Sequence, residues 1–72
     1  MPSVTINVLA GRSVEQKREL TRRVTDVISE VFEVKPEAIT IWIVEGPPEN
    51  FSKAGKLGID GSVRDPRVKE PA

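Results

Sequence analysis

Residues 3–16 read Ser3-Val4-Thr5-Ile6-Asn7-Val8-Leu9-Ala10-Gly11-Arg12-Ser13-Val14-Glu15-Gln16, and the fold is decided within them. From Ser3 to Leu9 apolar residues alternate, with Val4, Ile6 and Val8 on one face and Thr5 and Asn7 on the other. That period of two predicts a strand starting almost at the first residue. Ala10-Gly11-Arg12 breaks the pattern. Ser13 is a good N-cap, and Gln16 three residues on completes a capping box, so a helix opens here.

Working outward, Leu20, Val24, Val27, Ile28 and Val31 recur at helical spacing. Lys17, Arg18, Arg22, Arg23, Asp26 and Glu30 fill the opposite face. Pro36 disfavours helical geometry at Lys35, so the helix is expected to end near residues 32–34. Ile39 to Val44 is a second strand. Its Ile-Trp-Ile-Val run is apolar on both faces, as in a strand covered on both sides. Gly46-Pro47-Pro48 ends it, and short hairpin strands are expected around Lys56 to Val63, followed by a mobile or partner-dependent tail over 65–72. A right-handed crossover makes the two long strands parallel. The expected class is α+β: a β-α-β monomer with a parallel strand pair plus a short C-terminal hairpin.

The chain has 72 residues, which predicts one domain over 1–72, with a core of about 2–61 and a tail over 62–72. A domain this small buries only about 60% of the surface its unfolded chain exposes. It usually needs disulfides, a metal or further subunits. There is no Cys and no His. Disulfides, thiolate nucleophiles, imidazole bases and the common zinc sites are thereby excluded. Self-association is the support that remains, and it would also cover the bare sheet edge and apolar faces of a βαβ unit. Net charge is zero with signs interspersed, which argues against a nucleic-acid footprint. No run approaches a membrane span and the N-terminus lacks signal-peptide character, so a cytoplasmic location is expected.

Without Cys or His, the chemistry falls to carboxylates, Lys, Arg, hydroxyls and the terminal amine. The carboxylates are scattered and there is no phosphate-cradling glycine motif. Position 2 is proline, a residue small enough to permit removal of Met1. That removal would leave a secondary amine at the chain start. Ordinary α-amino groups titrate at about 7.7–8.0; an apolar pocket beside a cation lowers such a value towards that of a neutral-pH base.

Other residues give Pro2 its context. Leu9-x-Gly11-Arg12-Ser13-x-Glu15-Gln16-Lys17 opens the helix, Pro36 precedes the second strand, and Asn50-Phe51 is followed by Gly55. In these features the chain resembles the 4-oxalocrotonate tautomerase family (2-hydroxymuconate tautomerase-like) over roughly its first sixty residues. The resemblance implies a tautomerase/MIF-like fold assembled as a homohexamer, a trimer of dimers. It implies an isomerase of the kind found in aromatic degradation, interconverting enol and keto forms of a 2-hydroxy-dienoate or related 2-oxo acid. Pro2 would be the general base, Arg12 would bind a substrate carboxylate, Phe51 would supply apolar wall and Leu9 would line the substrate region. No metal or organic cofactor is implied. The family's second arginine, at the start of the second strand, is replaced here by Thr40. That leaves a monocarboxylated substrate as open as a dicarboxylate, with Lys35, Lys53, Lys56, Arg64 or Arg67 as candidate replacement cations. Rival readings are a hydratase or dehalogenase on the same scaffold, with Glu45 or Glu49 activating water, and a non-catalytic oligomeric module if Met1 is retained.

Pro2 and Arg12 stand at opposite ends of the first strand. Seven strand residues at about 3.3 Å each put them over ~20 Å apart. Antiparallel pairing of first strands from two subunits would bring the start of one to the end of the other, so a shared site is expected.

Overall fold

The structure, a computed structural model, describes residues 2–63. The expected tail over 65–72, and Arg64 and Arg67, lie outside the described residues. β1 spans Ser3–Leu9, α1 spans Val14–Phe32 and β2 spans Thr40–Gly46. Two short strands follow, β3 (Ser52–Lys53) and β4 (Lys56–Leu57). β1 pairs with β2 in one sheet, and β3 with β4 in another. The β1–β2 pair is parallel, as the crossover predicts. At its start Thr40 N–H donates to the Pro2 carbonyl at 3.1 Å, and beyond its end Ala10 N–H donates to the Gly46 carbonyl at 2.9 Å.

The described residues form two compact units, 2–6 with 13–44 and 7–12 with 45–63. In the first, α1 begins as its sequence requires. Gln16 N–H donates to Ser13 Oγ at 3.1 Å, and Ser13 N–H donates back to Gln16 Oε1 at 3.0 Å. The helix stops at Glu33, which adopts the left-handed conformation at φ 54°, and Val34 N–H closes on the Ser29 carbonyl. Lateral ion pairs run along the exposed side. Glu19 meets Arg22 at 2.7 Å and Arg23 at 2.6 Å, and Arg22 also reaches Asp26. Hydrogen bonds from Arg22 and Arg23 hold the Glu19 carboxyl below its usual range. Such exposed pairs contribute little to stability. No described helix is long and apolar enough to cross a membrane.

The chain covers its apolar residues only in part. Val4, Ile6, Val8, Ile41 and Ile43 are half-buried, with Val24 and Ile28 of the helix. No hydrophobic side chain among the described residues is fully buried apart from Pro48. Trp42 is 70% exposed, and Val44, Val27 and Val31 are exposed too. The expected double cover of the Ile41-Trp42-Ile43-Val44 run is therefore absent in the single chain. Alternation along β2 leaves Trp42 and Val44 on a bare face.

In the second unit the hairpin falls earlier than expected. Its strands pair as Ser52↔Leu57 and Lys53↔Lys56, not across 56–63. Ala54 and Gly55 both adopt positive φ, 52° and 80°, which is the geometry of a two-residue hairpin turn. Gly58–Asp60 then curls into a 3₁₀ turn, ending strand geometry after Leu57. Gly58 is itself buried against Pro48. A Cβ placed on it would stand 2.9 Å from both the Pro48 carbonyl oxygen and Val63 Cγ2. The carbonyl belongs to the backbone and cannot swing away. Gly58→Ala should accordingly destabilise the protein by about 1–3 kcal/mol; a chemical-denaturation midpoint equal to that of the parent would refute the wedge.

Candidate active site

Gly11, at φ 125°, occupies backbone space that side-chain-bearing residues rarely adopt. It turns the chain out of β1 and puts Arg12 directly before the helix cap. Ser13 and Gln16 satisfy each other's backbone N–H groups there. Two of the N-terminal donors are thus consumed, and a carboxylate arriving at this corner would depend chiefly on the Arg12 guanidinium. Arg12 is exposed.

Pro2 stands at the other end of β1. It is half-buried, and its carbonyl is engaged by Thr40 N–H at 3.1 Å. The structure thus sets Thr40 beside Pro2 of the same chain.

Leu9 and Phe51 come together. They line an open cleft of about 290 Å³ in the second unit, with Asn7 and Val8 of β1, Gly46 and Pro47 after β2, and Asn50. Its outer wall is stiff. Pro48 is fully buried, Asn50 N–H donates to the Pro47 carbonyl at 2.9 Å, and Gly58 N–H donates to the Phe51 carbonyl at 2.7 Å. Arg12 does not line this cleft, and neither Glu45 nor Glu49, the candidate water activators, does so. Asn7 and Asn50 also line the cleft, although no role is expected of them from the sequence. Asn7 could have been found, since it shares a strand face with Leu9.

The chain is similar to several known proteins. The family model described as "Tautomerase enzyme" matches residues 2–58. A "Probable tautomerase" of Halalkalibacterium halodurans is 43% identical over 56 residues, covering 78% of this chain and 92% of the relative. The 2-hydroxymuconate tautomerase of Bacillus subtilis is 39% identical over 56 residues, covering 78% and 90%. Among solved structures, a heterohexamer 4-oxalocrotonate tautomerase from Chloroflexus aurantiacus aligns with TM-score 0.76 and 31% identity, over 89% of this chain and 100% of that one. A structure studied for trans-3-chloroacrylic acid dehalogenase activity aligns with TM-score 0.70 and 36% identity, over 78% and 97%.

Proposed function

The chain belongs to the tautomerase family, and from that premise we propose that it converts the enol of a 2-hydroxy-dienoate or related 2-oxo acid into its keto isomer, with Pro2 as general base. The observation that carries the reading is the family match, which begins at Pro2 and runs through Arg12 and Phe51. In the step, the free amine of Pro2 takes the proton of the substrate 2-hydroxyl. The oxygen electron pair forms the C2 carbonyl, the carbon–carbon double bond shifts, and the prolyl ammonium returns the proton to carbon. No atom is gained or lost. Arg12 holds the C1 carboxylate by a charge-assisted pair. Leu9 and Phe51 keep water from the reacting end.

The catalyst we propose is a homo-oligomer, a hexamer by analogy with the Chloroflexus structure, whose sites combine Pro2 of one subunit with Arg12 of another. The support is physical. A single chain leaves Trp42, Val44, Val27 and Val31 exposed and no hydrophobic core fully buried among the described residues. Such surface is normally covered, and the Chloroflexus relative is a heterohexamer.

An enol–keto assay with phenylenolpyruvate, run beside a trans-3-chloroacrylate assay, tests the reaction class. Rapid ketonisation with no chloride release is expected. Chloride release without ketonisation would move the chain to the dehalogenase branch of the scaffold.

A further inference from the structure

Pro2 lies outside β1, which begins at Ser3. A chain end in that position usually frays unless something ties it down. Here the carbonyl is tied. Thr40, the first residue of β2, donates its N–H to it at 3.1 Å. That donor stands on a stiff support, the 3₁₀ turn Pro36–Ala38. Ala38 N–H closes the turn on the Lys35 carbonyl at 2.9 Å, and Ile39 N–H closes it on the Pro36 carbonyl at 3.0 Å. Ile39 is extended, at φ −102° and ψ 125°, and leads the chain straight into the strand.

The bond limits what the terminal amine can do. The amide between Pro2 and Ser3 is planar, so holding its carbonyl also holds the Pro2 Cα. The ring nitrogen lies one bond, about 1.46 Å, from that Cα. One torsion, ψ of Pro2, is left to it. Without the bond the whole amide plane would also turn about φ of Ser3 and carry the amine with it. An error of about 1 Å in a reacting group can cost about 10²-fold in rate.

We propose that the backbone N–H of Thr40 is a positioning group for the reaction: through the Pro2 carbonyl it sets where the terminal amine stands, and the Pro36–Ala38 turn holds it there. This rests on the reading of Pro2 as general base and adds the element that aims it. The role belongs to the backbone of position 40, not to its hydroxyl.

Thr40→Pro removes the donor. The first place in a strand accepts proline, and Ile39 already has the extended geometry that a residue before proline needs. In protein freed of Met1, kcat should fall by about 10–100-fold with KM kept within about threefold, because the substrate carboxylate is held elsewhere, by Arg12. Thr40→Ala keeps the N–H, and its kcat should exceed that of Thr40→Pro by about tenfold or more. Carbon relaxation at the Cα of ¹³C-labelled Pro2 reads the tether directly. Its order parameter should be about 0.8 or higher in the parent and below about 0.6 in Thr40→Pro. If Thr40→Pro does not fold, a synthetic chain with an ester in place of the Thr40 amide removes the donor and keeps the side chain. The same ester at Val34 deletes the N–H that closes on Ser29 at 3.2 Å; it should lower stability and leave the Pro2 order parameter where it was. A Pro2 as rigid without the donor as with it, or equal kcat in Thr40→Pro and Thr40→Ala, overturns the assignment. A Pro2 loosened by loss of the donor, in a protein whose Pro2→Ala form keeps the parent rate, would retain the tether and defeat the base reading alone.

Discussion

Replacing Pro2 by alanine should lower kcat/KM for enol–keto conversion by about 10²–10⁴-fold, the range expected when a positioned general base is lost. The structure makes this variant unusually clean. The Pro2 backbone carbonyl accepts a hydrogen bond from Thr40 N–H, and alanine keeps that carbonyl. β1 begins only at Ser3, so the strand is untouched. What alanine removes is the ring that makes the terminal amine secondary and fixes its direction. A primary amine remains, which accounts for a residual rate instead of none. Circular dichroism and oligomer mass should match the parent; an unchanged rate would remove Pro2 from the chemistry.

Arg12→Ala should cost about 10–100-fold in kcat/KM, mostly through KM, since a charge-assisted pair to the substrate carboxylate is lost. The reciprocal bonds between Ser13 and Gln16 already use two of the four free N–H groups at the helix start. Arg12→Lys should recover part of the loss but not all, because an ammonium keeps the charge and lacks the planar fork. The sharing of sites gives a sterner test. Pro2→Ala and Arg12→Ala proteins, each impaired, should together exceed the sum of their separate activities at low substrate when their subunits are exchanged by denaturing and refolding them together. Some mixed sites then hold an intact Pro2 and an intact Arg12 from different chains. No recovery in a mixture shown by mass to be exchanged would confine each site to one chain.

The parts of the fold that sequence made legible are those set by local rules. β1 was readable because alternation from Val4 to Val8 is a period no helix tolerates. The start of α1 was readable because Ser13 and Gln16 satisfy each other at fixed spacing. Its end was bracketed by Pro36, although the stop itself is made by Glu33 entering the left-handed region. The hairpin was misplaced because its signal is a pair of positive φ angles at Ala54 and Gly55, and alanine does not advertise that geometry. Trp42 illustrates a different gap. Its hydrophobicity announces burial, but whether the cover comes from the same chain is a tertiary fact. The candidate site divides along the same line. Leu9 and Phe51 follow from a sequence motif, whereas Asn7 and Asn50 lining one cleft depends on tertiary placement of residues some forty positions apart.

A free prolyl amine exists only once Met1 is gone, so the processing state of the chain decides whether that amine does the chemistry. A chain that retains Met1 carries the same Pro2 side chain but an amide in place of the amine. Fractions of the protein with and without Met1, separated and identified by intact mass, should differ in enol–keto rate by orders of magnitude, with activity tracking the processed fraction. Equal activity in the methionylated form would rule out the Pro2 amine as the base.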